Sequence, residues 1–284
     1  MKAQNNKQIK NIICKAIIYI WLYALWFFVI LSYPLCLHAA FEFQPVGAKA
    51  AGVGDAGTAL TTGAEGLFWN PAAVAWGSRM SLFCGYDRPF GMTTLSTQAL
   101  GMALHLNHHG LGFTYQGYGF SLYKERRFGC TYGLRISQAG LGIAVRTLQM
   151  ALRNEPNRQW VVFDIGLRVN IHPHIHIGAV AWNMGGKQVA ILGQGGAVGI
   201  AATTIPHITV LIDIQKEAGL PTGASGGITY MPASQLTLRV GIGSRPERLT
   251  AGTGIHLKHI TLDYAVIYHA VLGLSHRVGF EWAW

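Results

Sequence analysis

From residue 79 to the end of the chain, hydrophobic and polar positions alternate with a period of two, segment after segment. In Phe163–Ile171 the odd positions are Phe163, Ile165, Leu167, Val169 and Ile171, and the even ones are Asp164, Gly166, Arg168 and Asn170. Phe128–Ile136 sets Phe128, Cys130, Tyr132, Leu134 and Ile136 against Gly129, Thr131, Gly133 and Arg135. The same holds in Gln235–Gly243, in His259–His269 and in the closing stretch, where Val278, Phe280, Trp282 and Trp284 oppose Arg277, Gly279, Glu281 and Ala283. Successive side chains of a strand point to opposite faces, so each segment predicts a ribbon with one oily and one polar flank. Turn signals divide the chain into fourteen such ribbons, near 79–85, 95–106, 111–121, 127–137, 140–149, 160–170, 174–182, 197–203, 207–216, 224–232, 235–243, 250–257, 259–269 and 274–284. Most have roughly the 9–11 residues that a tilted strand needs to cross a bilayer.

Alternation alone allows a soluble sandwich with a dry inside or a membrane barrel with a greasy outside. Charge decides between them. The chain is 50% hydrophobic and 12% charged, whereas a soluble domain carries about a quarter charged residues. The polar flank is mostly Gly, Thr and Ala with one Arg or Asp per ribbon, side chains small enough for the inside of a narrow closed tube. An all-β transmembrane antiparallel barrel of about 14 strands follows, an even number as in bacterial barrels. Trp160, Trp182, Tyr268, Trp282 and Trp284 sit near ribbon ends, where interfacial girdles are expected. The short joints Gln138-Ala139 and Pro173-His174 suit periplasmic turns, and 150–159, 183–196 and 216–223 are expected to be outer loops.

The first forty residues differ. A lysine-bearing start leads into an uncharged apolar run from Ala16 to Leu31, then Pro34 and Ala39-Ala40. This is the order of a secretory signal, cleaved near Ala39 or Ala40; the alternative is a retained anchor, since the run is long enough to span a bilayer. Cys36 lacks the small preceding residues of a lipobox. Cys84 and Cys130 are then the two cysteines of the exported part, and one bridge is chemically allowed in an oxidising compartment. Lys2, Lys7, Lys10 and Lys15 lie in the leader, which leaves 18 Lys and Arg against 12 Asp and Glu without a basic run. No nucleic-acid partner is expected.

Residues 47–76 break the alternation. Gly52, Gly54 and Gly57 match the spacing of a dinucleotide fingerprint, but no strand precedes them and no carboxylate follows about twenty residues on. The stretch Gly47 to Gly57, followed by Phe68, Trp69, Asn70, Pro71 and Ala72, resembles the start of the PorV/PorQ group of outer-membrane proteins, relatives of the FadL fatty-acid transporters. Tyr123 to Glu125, Asp164 to Leu167, Trp182 to Gly185, Asp263-Tyr264 and Leu272 to Arg277 echo further segments of that group. The resemblance implies a fourteen-stranded barrel whose N-terminal segment folds inward as a hatch, here residues 41–78 ahead of a barrel at 79–284. It also implies either passage of hydrophobic molecules through a kinked or laterally opening wall, or service to a type IX secretion system that handles protein cargo. The chain is short for the group, so long outer loops are expected to be trimmed. Glycine-rich backbone in a lumen can approach the wall closely. Asn70-Pro71 reads either as a local cap or turn or as part of the hatch.

Candidate chemistry is sparse. His172, His174 and His176 alternate, but Pro173 marks a turn between the first two, so no metal site is assigned. Ser275 and His276 are adjacent on a ribbon and point to opposite flanks, so they form no nucleophile–base pair. His256 and Ser275 could both face the lumen, but no third orienting group completes a constellation. No enzyme activity and no cofactor are expected. The informative polar residues are the predicted lumen charges Arg127, Arg135, Arg146, Arg168, Arg239 and Arg277 with Asp164, Asp213, Asp263 and Glu281. They read either as internal salt bridges or as a filter for anionic solutes. Phe280, Trp282 and Trp284 form a terminal aromatic signal for barrel-assembly machinery, as in outer-membrane proteins generally. The expected partners are outer-membrane lipid, that machinery, and a hydrophobic or amphipathic small molecule or secreted cargo. A plugged structural barrel is the third reading.

Overall fold

In the computed structural model the described residues are 41–185 and 192–284, so the leader and its cleavage or retention lie outside them. Fourteen antiparallel strands form one closed barrel, each paired with its neighbours in sequence and β1 closing on β14. They are β1 Met80–Arg88, β2 Thr97–Leu106, β3 His109–Gly119, β4 Tyr123–Ile136, β5 Ala139–Leu152, β6 Arg158–His172, β7 Ile175–Met184, β8 Gly195–Ile205, β9 Ile208–Glu217, β10 Gly223–Ala233, β11 Leu236–Ser244, β12 Glu247–Leu257, β13 Ile260–His269 and β14 Gly273–Ala283. The closing seam is in full register, from Ser81 opposite Ala283 to Arg88 opposite His276. Closure leaves no strand edge unpaired, which is what lets a sheet sit in lipid.

The two flanks separate as the alternation requires. Leu100, Phe113, Val161, Val240 and Ile242 all face outward and are more than half exposed. Charged residues on this flank are Arg88, Lys124, Arg126, Lys216 and Glu247, all at or near one end of the barrel. At the opposite end every strand-to-strand connection is two residues long: 107–108, 137–138, 173–174, 206–207, 234–235 and 258–259. The longer connections share the charged end. They are shorter than expected, because β5 continues to Leu152, β6 starts at Arg158 and β9 ends at Glu217. The third expected loop, 183–196, lies partly outside the described residues; β7 runs to Met184 and β8 starts at Gly195.

Two girdle assignments are wrong. Trp160 packs against Phe41 with ring centroids 5.7 Å apart, and Trp182 against Phe43 at 4.7 Å, so both point into the bore. Trp160 has the parity of buried Val162 and Asp164 in β6, which an end-of-strand criterion ignores. Tyr268, Trp282 and Trp284 remain on the outward flank. Cys84 and Cys130 are free and face outward from β1 and β4, so the allowed bridge is not made.

Two measurements test this fold. The protein should migrate faster on an unheated SDS gel than after boiling, since a closed barrel resists SDS. Val240→Arg, at the middle of β11, should destabilise the barrel by about 2–4 kcal/mol, and Leu257→Arg, at the last residue of β12, by about 0–1 kcal/mol. Equal costs in reversible unfolding into lipid would place the outward flank somewhere other than in hydrocarbon.

Candidate functional site

The inward flank is occupied. Residues 46–75 are almost entirely buried, and three short helical turns carry the chain across the bore, at Ala48–Ala51, Gly63–Gly66 and Pro71–Ala75. The first lies against β12–β14, the second against β1–β3 and the third against β2–β6. Gly54 has φ 74°, a conformation that costs other residues roughly 1–2 kcal/mol. Its N–H donates to Thr250 Oγ1 at 2.9 Å and its carbonyl accepts from Arg248 Nη2 at 3.0 Å. Gly47, with φ 92°, precedes the first turn, and Gly52 ends it against Arg239 and Gly252. Gly57 lies under the Trp69 ring, where a methyl group would overlap it. Trp69 Nε1 donates to the Val46 carbonyl at 2.8 Å, so the hatch is tied to itself as well as to the wall.

Asn70 and Pro71 cap a helical turn and also reach the wall. Asn70 is extended and its Oδ1 accepts from the Ala72 N–H at 3.0 Å, with Pro71 starting the last helical turn. That is an N-cap, with proline where its missing N–H costs nothing. The amide nitrogen of the same side chain donates to the Leu167 carbonyl of β6 at 3.0 Å, and also reaches the carbonyls of Thr58 and Ala179. Gly142 and Gly166 make this approach possible, because a methyl on either would overlap Pro71 or Asn70. The small residues of the polar flank are thus explained by what fills the tube.

All ten predicted lumen charges lie on the inward flank, and most are engaged. Arg239 Nη1 meets Asp263 at 2.7 Å, and Arg146 Nε meets Asp164. Arg277 bridges Asp55 of the hatch at 2.8 Å and Asp87 of β1 at 3.0 Å. Glu281 accepts from Lys49 of the hatch at 3.0 Å, and Lys49 also contacts Glu65 at 3.2 Å. Arg127 lies 3.5 Å from Glu125. Arg168 donates to the Thr61 carbonyl at 3.2 Å, Asp213 accepts from the Thr58 N–H at 2.8 Å, and Arg135 stands over the Trp76 ring at 5.0 Å. The guanidinium groups are held by hatch and wall, which is the geometry of internal ties; an anion filter needs them turned to water.

Several partners escape a strand-by-strand reading. Glu125 and Arg248 share parity with Arg127 and Thr250, a signal that was available in the alternation. Lys49, Asp55 and Glu65 have no such signal, because they lie outside the ribbons and meet the wall only through the path of the hatch. Asp55, like Lys49, has two charged partners, touching Arg277 and, at 3.3 Å, Arg248.

At the end with the longer connections the hatch leaves a vestibule of about 410 Å³. Its floor is Phe43, Pro45 and Trp182, and Leu220 and Pro221 add apolar surface among Lys216, Glu217 and Arg245. Phe43 also packs edge-on to Trp69, with centroids 5.4 Å apart, so the floor and the hatch are one aromatic stack. Beneath it a gap of about 20 Å³ remains between Trp69, Arg146, Asp164 and Asn183, room for about one water. Beside the floor the β6–β7 ladder shifts register between Phe163 and Ile165, and Trp182 and Asn183 both turn inward. Such a bulge re-aims side chains at the cost of a ladder bond.

The histidines are held by polar neighbours. His172 and His174 meet at the turn with rings 5.4 Å apart, His176 bonds Asn170, and no group of three potential ligands comes together among the described residues. Ser275 faces inward and accepts from the Phe90 N–H, whereas His276 faces out and bonds the Tyr264 hydroxyl. His256 is held by Thr237 and Thr261.

Fold and site together define a fourteen-stranded membrane β-barrel whose bore is filled by its own N-terminal segment below an aromatic vestibule. Neither a comparison with protein-family models nor one with curated proteins finds a match. Among solved structures, the CymD monoaromatic hydrocarbon channel is similar at 14% identity and a TM-score of 0.65, over 86% of this chain and 99% of that one. The toluene transporter TbuX of Ralstonia pickettii is similar at 12% identity and a TM-score of 0.66, over 86% and 100%. A FadL homologue of Pseudomonas aeruginosa is similar at 12% identity and a TM-score of 0.59, over 85% and 98%. At these identities the likeness is one of fold.

Asp55→Ala should loosen the hatch, since it removes the one carboxylate that Arg248 meets among the described residues and leaves Arg277 with Asp87 alone; breaking a buried pair costs about 3–5 kcal/mol. Gly142→Val should act by overlap with Pro71, leaving every charge in place. In both variants limited proteolysis of folded protein should cut within residues 46–76 faster than in wild type while the barrel stays heat-modifiable. Unchanged cleavage would mean that these contacts do not hold the segment.

Proposed function

We propose that this protein is a bacterial outer-membrane barrel that binds small hydrophobic or amphipathic solutes at its outer vestibule and passes them when the hatch yields. The observation that carries this reading is the position of Phe43. It belongs to the segment that blocks the bore, and with Trp182 it forms the floor on which a solute would rest. A pocket of about 300–1,000 Å³ is the usual size for a small-molecule site, and an apolar floor with a polar rim suits a molecule with one oily side. The shared fold with structures named as monoaromatic hydrocarbon and toluene channels supports the same solute class. In this reading residues 1–40 are a cleaved export signal, 41–78 the hatch and 79–284 the barrel. Phe280, Trp282 and Trp284 are presented to the assembly machinery on the outward flank of the closing strand. No catalytic role is assigned to any residue.

A second reading follows the PorV/PorQ resemblance, in which the barrel is a component of a protein secretion system. The filled bore favours it, because a platform for cargo needs no path through its centre. Deleting residues 41–77 separates the two. Raised conductance in planar bilayers and faster uptake of an aromatic hydrocarbon are expected for a gated passage. Co-purification of secreted protein with no change in conductance would replace it with the secretion role. Trp182→Ala removes half of the aromatic floor and should weaken binding of toluene by about 1–2 kcal/mol, roughly tenfold; unchanged affinity would move the solute site elsewhere.

A further inference from the structure

Phe41 is wholly buried inside the barrel, and three separate groups hold it there. Its ring packs with Leu148, Val162 and Leu192 and lies 5.4 Å from the Arg127 guanidinium. Its carbonyl accepts from Asn183 Nδ2 at 3.2 Å. Its nitrogen points at Glu125 Oε1, 3.3 Å away, and the same carboxylate oxygen accepts the Tyr123 hydroxyl. We propose that export processing cuts between Ala40 and Phe41, and that the new Phe41 α-ammonium group is an internal counter-ion, paired with Glu125 and locking the hatch in the bore.

Charge balance argues for it. Among the described residues, the chamber around Phe41 holds the carboxylates of Glu125 and Asp164 with the cations Arg127 and Arg146, and Glu217 stands beside it at the vestibule. Glu217 accepts from the Phe43 N–H and has no cation within 4 Å among the described residues. Of the two chamber carboxylates Glu125 is the more loosely paired, 3.5 Å from Arg127 where Asp164 meets Arg146 directly, and a poorly compensated buried charge is expensive. An ammonium at the Phe41 nitrogen gives Glu125 a second cation where its carboxylate already faces. Backbone geometry points the same way. Phe41 has φ 57°, a left-handed value that is strained for a bulky residue. That torsion exists only while residue 40 is attached, so cutting the bond releases it. Ala40 supplies the small residue directly before the bond that an export peptidase reads, with His38 at the third position. The step is hydrolysis: water delivers its hydroxyl to the Ala40 carbonyl carbon and a proton to the Phe41 nitrogen. A second proton from solvent then makes the ammonium.

The lock is independent of what the barrel carries, so it stands or falls apart from the solute reading. The test uses mature protein extracted from membranes. Mass spectrometry of the N-terminal peptide should give Phe41 as the first residue. Reductive methylation with formaldehyde and cyanoborohydride at neutral pH should label that amine about tenfold or more slowly in the folded barrel than after boiling, since a carboxylate-paired ammonium offers little free amine to the reagent. Glu125→Gln should restore most of the lost rate in heat-modifiable protein, and Glu125→Asp should keep the protection. A mature chain that starts elsewhere would overturn the proposal. So would an amine labelled equally fast in folded and boiled wild type, or one that labels no faster in Glu125→Gln.

Discussion

Hydrocarbon cannot hydrogen-bond to a peptide, and the rest of this structure follows from that constraint. A spanning sheet must use every N–H and C=O within itself, so it must close, and a closed sheet has an outside and an inside with opposite demands. The outside is met by aliphatic and aromatic side chains. The inside is set by a different body, the chain's own N-terminal segment. Its helical turns press so close to the wall that glycine stands at the points of nearest approach, as at Gly142 and Gly166. The composition of the polar flank thus records packing against peptide more than contact with water.

Polar ties then position that segment. A buried carboxylate such as Asp55 is stable only where cations meet it, and Arg248 and Arg277 meet it from β12 and β14. Lys49 does the reverse, bringing a cation to Glu281 of the wall. Coulomb attraction in a dry interior is long in reach and indifferent to fine shape. Asn70 adds direction, since its amide bonds carbonyls of β6 and β7 in fixed geometry. The hatch is therefore located by charge and oriented by hydrogen bonds, on opposite arcs of the barrel.

Much of this was legible in the chain. Period two identified all fourteen strands, and the parity of Arg127, Arg146, Arg168, Arg239 and Arg277 placed them inward, because a strand allows a side chain only two directions. Where a residue belongs to no periodic element, the sequence is silent. Asp55, Lys49 and Glu65 pair across 222, 232 and 16 positions, respectively, through a fold-back that no local pattern encodes. Trp160 and Trp182 were misplaced for a related reason. Their nearness to strand ends suggested lipid headgroups, while their parity, and for Trp182 a bulge, sent them inward. The vestibule was invisible too, since its floor joins residues of the hatch to residues of β7.

The wall is not of even height. β4, β5 and β6 have 14, 14 and 15 residues, whereas β9 has 10 and β11 has 9. All the connections at the other end are minimal, so the surplus stands at the vestibule end, roughly 13–20 Å of extra strand. One arc rises as a parapet, and the arc opposite, where Lys216, Leu220 and Arg245 border the cavity, stays low. Access to the aromatic floor is thereby one-sided: a molecule skimming the membrane surface meets a barrier from one bearing and an open sill from the other.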